Sequence, residues 1–300
     1  MKPDLAEGLT CRLPLPADFR QQDFLAFHAR DPHRRAERIG PDSMEKGFIW
    51  QGQAVRLHLH FDNGTVGLQL SKSAEASAGA PPERDLRPWA SRFLGLDQPI
   101  TAFEACWRGH PLIGPLITAT PGLRIPQTAT PFEALSWAIT GQQISLAAAL
   151  SLRGRLIEAC ARRCGDLACY PDASALLTLT SPQLTAIGFS RSKAGTLLDV
   201  AARVESGALP LDDWWHSRTP PDLIRDRLLA IRGIGPWTVD YTLLRGFGHA
   251  DASLQGDAAV RRSLKALLGQ PERPGLMETA RWLEDFAPWR ALVAAHLWRV

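Results

Sequence analysis

The feature that most constrains the fold of this chain is a change in the period of its apolar residues. Over residues 55–61, Val55, Leu57, Leu59 and Phe61 alternate with Arg56, His58 and His60, and Val66, Leu68 and Leu70 resume the alternation after Asp62-Asn63-Gly64. A period of two marks half-buried strands, and Asn-Gly between two such runs marks a tight antiparallel hairpin. Phe48-Ile49-Trp50 supplies another strand, and residues 24–38 supply a helix or a further strand. Beyond Pro82 the period becomes helical, which predicts helices over 83–94, 100–108, 131–139 and 145–163, a short one opened by Ser181-Pro182, one capped by Ser190, and one begun by a Thr219/Asp222 capping box. Residues 71–82, rich in Ser, Ala, Gly and Pro, read as a loop or frayed helix. The expected class is α+β: an N-terminal antiparallel β-sheet domain with helices (1–82), then a two-lobed all-helical core. Within that core, 83–130 is a helical connection contributing to the C-terminal lobe, 131–249 a central domain and 250–300 a C-terminal segment.

Composition narrows the function only by exclusion. With 45% hydrophobic and 22% charged residues the chain is an ordinary globular one, and no apolar run reaches the roughly 18 residues needed to span a bilayer. The start lacks a basic segment followed by an apolar core, so a cytoplasmic protein without membrane partners is expected. A formal charge of +3, from 34 basic against 31 acidic residues, allows nucleic acid only through a local basic surface. Five cysteines without an export signal read as reduced thiols. Cys160, Cys164 and Cys169 have neither a fourth thiol nor a paired histidine motif nearby, so no metal site is expected of them.

The richest stretch is Leu228-Leu229-Ala230-Ile231-Arg232-Gly233-Ile234-Gly235-Pro236-Trp237-Thr238-Val239-Asp240-Tyr241, read as helix, glycine hairpin, helix. Gly233 and Gly235 are expected at positive φ with exposed amides, Ile234 plugs the gap between the helices, and Pro236 suits the first turn of the second. Amides at a helix start attract anions and fit a DNA phosphate without reading the base. Taken alone, Gly-Ile-Gly-Pro serves equally well as a turn between two core helices. The residues beyond the second helix are more telling: Asp251 to Asp257 form a connecting loop, and a new helix starts at Ala258.

With these elements in this order, and with Ala138-Ile139-Thr140-Gly141-Gln142-Gln143-Ile144-Ser145 before them, the chain resembles the helix-hairpin-helix superfamily of DNA glycosylases, and within it the bacterial 3-methyladenine DNA glycosylase II group. The resemblance is firmest from Pro131 to Trp298. It implies a base excision repair enzyme that flips a damaged nucleotide into a pocket between helical lobes, with damaged duplex DNA as partner, no obligate protein partner and a monomeric state. It assigns Asp257 as the catalytic aspartate, ionised at a helix start, where it stabilises positive charge on the sugar. The competing role for Asp257 is a helix cap, and the two are compatible.

The resemblance also implies a base pocket of Trp237, Tyr241 and Trp298, suited to cationic alkylpurines. Gln143 is the implied wedge, and Arg232, Gly233, Ile234, Gly235 and Thr238 are the implied backbone contacts, with Arg191 and Lys193 as further DNA contacts. Trp282 and Trp289 read as core. Relatives that also cut the backbone carry a lysine where this chain has Trp237, and no lysine lies between Lys193 and Lys265, which suits a monofunctional hydrolase. No cysteine comes after Cys169, so an iron-sulfur cluster of the kind some relatives hold is not expected. No cofactor is required, although the hairpin carbonyls near Ile231 and Ile234 suit a structural sodium or potassium ion. Arg299 stands where the family has a tyrosine, which leaves the lesion range open. The alternatives are a noncatalytic helix-hairpin-helix DNA-binding module, a glycosylase for deaminated purines, and a structural or protein-interaction domain.

Overall fold

The computed structural model describes residues 5–29, 31–73 and 85–300. Strands β1 (Leu5–Pro14), β2 (Glu37–Ile39), β3 (Ser43–Trp50), β4 (Gln53–Asp62) and β5 (Thr65–Ser73) form an antiparallel sheet in the order β1-β5-β4-β3-β2, and α1 (Gln21–His28) lies between β1 and β2. The alternation of β4 sets its faces: Leu57, Leu59 and Phe61 are buried while His58 and His60 are exposed. Asn63 and Gly64 both take positive φ at the β4–β5 turn, as the Asn-Gly pair predicts. Residues 71–73 continue β5 rather than starting a loop, and the rest of the expected loop, 74–82, falls outside the described residues.

The helices continue the chain as α2 (Leu86–Phe93), α3 (Ile100–Trp107), α4 (Ile113–Ala119), α5 (Pro131–Gly141) and α6 (Leu146–Cys160). A small hairpin, β6 (Arg163–Cys164) and β7 (Leu167–Ala168), separates these from α7 (Ala173–Leu176), α8 (Ser181–Ala186), α9 (Arg191–Glu205), α10 (Leu211–Ser217) and α11 (Pro221–Leu229). Last come α12 (Pro236–Phe247), α13 (Ala258–Leu267), α14 (Leu276–Glu284) and α15 (Arg290–Leu297). Among the described residues no helix is long and apolar enough to cross a membrane.

Two cores result. One joins the sheet to α1 and α2, where Phe48, Trp89 and Phe93 stack in series at 5.8 and 4.8 Å and Trp89 Nε1 donates to the Ala129 carbonyl. The other unites α3 to α15, with Trp282 and Trp289 packed against it as the sequence suggests, and Phe103 of α3 lies against His296 of α15. At the seam between the cores sits a buried charge cluster. Lys46 of β3 donates to Glu37 (2.6 Å) and to Glu133 of α5 (2.7 Å), and Arg153 of α6 donates to Glu37 (2.6 Å). Gly47 serves the same seam, because a Cβ there would lie 2.2 Å from the Ala168 carbonyl oxygen, and its own carbonyl accepts the Tyr170 amide.

Two local expectations are corrected. The Thr219/Asp222 capping box does not form: consecutive Pro220 and Pro221 fix the start of α11 one residue later, and Thr219 Oγ1 pairs with Ser217 Oγ. The helix expected to run to Arg163 ends at Cys160, where Ala161 turns left-handed, and the next residues enter the β6–β7 hairpin. There Cys164 and Cys169 point their thiols at the carbonyls of Ser71 and Val55, and burial pushes the Cys160 and Cys169 thiols up to about 12.

Candidate functional site: a carboxylate between two indoles beside a glycine hairpin

Helices α11 and α12 are joined by the six residues 230–235. Gly233 takes φ +91°, and a Cβ there would stand 2.2 Å from Thr196 Oγ1 of α9, so glycine is required both for the turn and for the approach of α9. Ile234 is buried in the helical core, as expected of a plug. Gly235 departs from expectation. It is the N-cap of α12 with φ −107°, and a Cβ added to it meets nothing within 4 Å. Its freedom is therefore not conformational; what it leaves is open space at a helix start. The amides of Gly235, Trp237 and Thr238 make no hydrogen bond within the described residues, which is the unsatisfied first turn that attracts an anion.

The hairpin is clasped to the segment that carries Gln143. Gln142 Nε2 donates to the Gly233 carbonyl and to Thr238 Oγ1, both at 2.9 Å. Gln143, next along, is exposed with φ +56° in the break between α5 and α6. Thr196 Oγ1 donates to the Arg232 carbonyl (3.2 Å), and Lys193 Nζ donates to the Thr140 carbonyl (2.9 Å). Lys193 is thus an inward strut whose partial burial lowers its pKa, while Arg191 and Arg232 remain exposed. Sequence reasoning singles out Gln143 and misses Gln142 and Thr196; the Gln-Gln doublet is the one available signal.

Asp257 is the N-cap of α13. Its Oδ1 accepts the amides of Ala259 (2.9 Å) and Val260 (3.0 Å) and the Trp298 indole Nε1 (3.2 Å), and its Oδ2 accepts the Trp237 indole Nε1 (3.1 Å). Three helices thereby meet at one carboxylate. Trp237 lies one turn from Tyr241, ring centroids 5.5 Å apart, and the Tyr241 hydroxyl accepts from Trp137 Nε1 of α5 (2.9 Å). Buried Arg245 places its guanidinium 5.2 Å from the Trp298 ring and 4.2 Å from Phe27 of α1, so the sheet domain also reaches this region. Trp137, Phe27 and Arg245 carry no sequence signal.

The neighbouring aspartates have other tasks. Asp251 receives Nε (2.8 Å), Nη2 (2.7 Å) and the backbone amide (3.2 Å) of Arg290, which pins the loop leading to Asp257. Asp240 is buried against Arg225; burial outweighs that arginine and pushes its pKa up to about 6. Arg299 pairs with Asp23 of α1 (2.7 Å).

A helix-hairpin-helix with bare amides is succeeded by an aspartate fixed at the next helix start, and comparison with known proteins says which family has this arrangement in its sequence. Residues 136–288 match the HhH-GPD superfamily of base excision DNA repair proteins. The chain belongs to that superfamily. It is 31% identical over 219 residues to a Mycobacterium tuberculosis protein named probable bifunctional transcriptional activator/DNA repair enzyme AlkA, a match covering 69% of this chain and 41% of that one. It is 29% identical over 216 residues to a Bacillus subtilis protein named DNA-3-methyladenine glycosylase, covering 69% of each. In fold it is similar to the 3-methyladenine DNA-glycosylase from Archaeoglobus fulgidus, with a TM-score of 0.79 over 96% of this chain and 97% of that one at 18% identity.

The hairpin geometry gives a paired expectation. G233A forces a methyl into Thr196 and a left-handed backbone on alanine, and is expected to disorder the hairpin and weaken binding to damaged and intact duplex alike. G235A is sterically free within the protein and is expected to keep the fold. Any loss of duplex affinity in G235A is then expected to come from the filled space at the helix start and not from misfolding. Circular dichroism with fluorescence titration of both duplexes checks this, and a G233A protein that binds as wild type would remove the hairpin from the interface.

Proposed function

We propose that the chain is a monofunctional DNA glycosylase that hydrolyses the N-glycosidic bond of N-alkylated purines, 3-methyladenine among them, in duplex DNA and leaves an abasic site. The observation that carries this reading is the Asp257 carboxylate, held by two backbone amides and two indole N–H groups. Bare hairpin amides take a phosphate, Gln143 fills the gap left by the flipped nucleotide, and the base enters between Trp237, Tyr241 and Trp298. An N-alkylpurine is cationic and electron-poor, so aromatic faces favour it.

As the bond from C1′ to the base breaks, its electron pair leaves with the base, which departs neutral, and positive charge grows on the sugar. The fixed carboxylate stabilises that charge without reorganising. Water then adds to C1′ and loses its proton. The name carried by the Bacillus subtilis relative, DNA-3-methyladenine glycosylase, supports the alkylpurine class. The neutral carbonyls of Ile231 and Ile234 suit a sodium or potassium ion in kind, although the first also accepts the Ile234 amide at 3.1 Å. Such an ion would add positive charge beside the phosphate-facing amides, and no step passes through it.

Trp237 stands where a lyase would need an amine, and the Lys193 amine is committed to the Thr140 carbonyl. Borohydride is therefore expected to trap no protein–DNA adduct during base release, and strands are expected to break only after alkali. A trapped adduct with strand scission before alkali would replace the hydrolase with a lyase.

A further inference from the structure

We infer that Trp237 and Trp298 are positioning residues for Asp257, acting through their indole N–H groups in addition to their aromatic faces. This rests on the reading that Asp257 faces the scissile bond. The two amides of α13 and the Trp298 indole all address Oδ1, so they fix one oxygen and leave the carboxylate plane unset. Among the described contacts Oδ2 has one donor, the Trp237 indole, and that contact defines the plane. Phe, Tyr or Leu would fill the same core space, but tryptophan alone among them carries an N–H at the ring edge.

The donors come from helices far apart in sequence. Trp237 is the second residue of α12 and Trp298 caps the end of α15, 20 and 41 residues from Asp257 respectively. Both N–H groups point at a charged acceptor, and such bonds are stronger than neutral ones. Pinning the ring edges to the carboxylate leaves for the base the Trp298 face opposite Arg245 and the Trp237 face away from Tyr241, so the surface that holds the base and the charge that faces its sugar move as one unit. A base seated between the rings then brings its glycosidic carbon to Asp257 in a fixed register, the kind of positioning that raises rate rather than affinity.

The test is a double-mutant cycle with W237F and W298F, each alone and combined with D257N, on a duplex carrying one 7-methylguanine. Phenylalanine keeps a stacking face and removes the N–H. Each single variant is expected to hold affinity for that duplex within about twofold and to lower single-turnover base release about tenfold, the order expected for one hydrogen bond to a charged group. In D257N the same substitutions are expected to cost less than about twofold, because the acceptor they act through has lost its charge. Equal losses in both backgrounds, or a loss of affinity with rate unchanged, would overturn the proposal and leave the tryptophans as stacking surfaces. A D257N enzyme as fast as wild type would sink the underlying reading of Asp257, and this proposal with it. Two tryptophans on separate helices keep the cycle informative if either variant folds poorly.

Discussion

D257N is expected to release base on the order of 10² to 10³ more slowly than the wild-type protein in single turnover, the loss of a transition-state charge contact of about 3–4 kcal/mol. Asparagine is as good an N-cap as aspartate, so its carbonyl can keep the amides of Ala259 and Val260 and the helix start should survive. What it cannot keep is the far oxygen, because its amide group would turn a donor toward the Trp237 indole. Charge and orientation are thus lost together while the fold and binding to lesion-bearing duplex remain. The penalty should be larger for a neutral leaving group than for cationic 3-methyladenine or 7-methylguanine, which depart more readily by themselves. A folded D257N protein that releases base at nearly the wild-type rate would leave Asp257 as a cap and nothing more.

The largest expected effect on stability lies elsewhere, at the seam between the two cores. K46M removes the cation that serves both Glu37 and Glu133 and leaves two buried carboxylates to share Arg153, a loss of about 3–5 kcal/mol by the usual cost of orphaning one partner of a buried pair. Burial by itself would raise the Glu37 pKa, but Arg153 and Lys46 outweigh it and hold that carboxyl well below its ordinary value. A group with a depressed folded pKa contributes stability above its unfolded pKa and loses it as pH falls. The wild-type protein is therefore expected to lose this contribution progressively below about pH 4.5. In K46M the Glu37 carboxyl loses one of the two cations that depress its pKa, so the gap between the two proteins should narrow on acidification. Urea unfolding at neutral and mildly acidic pH measures both, and a gap that widens toward acid would contradict this role for the cluster.

How much of this is legible in the sequence depends on whether a signal is local. The alternation through β4 and β5 and the Asn63-Gly64 turn are local, and the sheet grows from them. Strand β1 carries the same alternation at Leu9, Cys11 and Leu13, yet sequence pattern assigns no strand there; its pairing with β5 shifts register between Ala6 and Leu9, which interrupts the pattern where a strand would be sought. Gly235 departs from expectation for a related reason. Its residue type allows positive φ, but the turn uses Gly233 for that and needs Gly235 only to be small.

At the site, Asp257 can be singled out because hairpin, loop and helix succeed one another in order, and its two capping bonds are local, from residues two and three further on. The rest of its surroundings cannot be read in the same way. The Trp137–Tyr241 hydrogen bond spans 104 residues and the Gln142–Gly233 bond 91, and neither partner has any periodic or spacing signal that would pair it with the other. Phe27 and Arg245 meet where the sheet domain packs on the helices, a junction that the buried cluster and the Arg299–Asp23 pair both fasten. Such long-range contacts are products of packing, and sequence pattern carries them only weakly.

The most direct test of the central claim is to track free base itself. Duplex DNA bearing 3-methyladenine and 7-methylguanine, and a matched duplex bearing hypoxanthine, are incubated with the wild-type protein, and the supernatant is separated by chromatography. A monofunctional alkylpurine glycosylase yields free N-alkylpurine in solution, intact strands that break at the same sites only after alkali, and little or no free hypoxanthine. Tight binding to the methylated duplex with no free base released would contradict that claim, and would leave a helix-hairpin-helix protein that holds DNA without cutting the glycosidic bond.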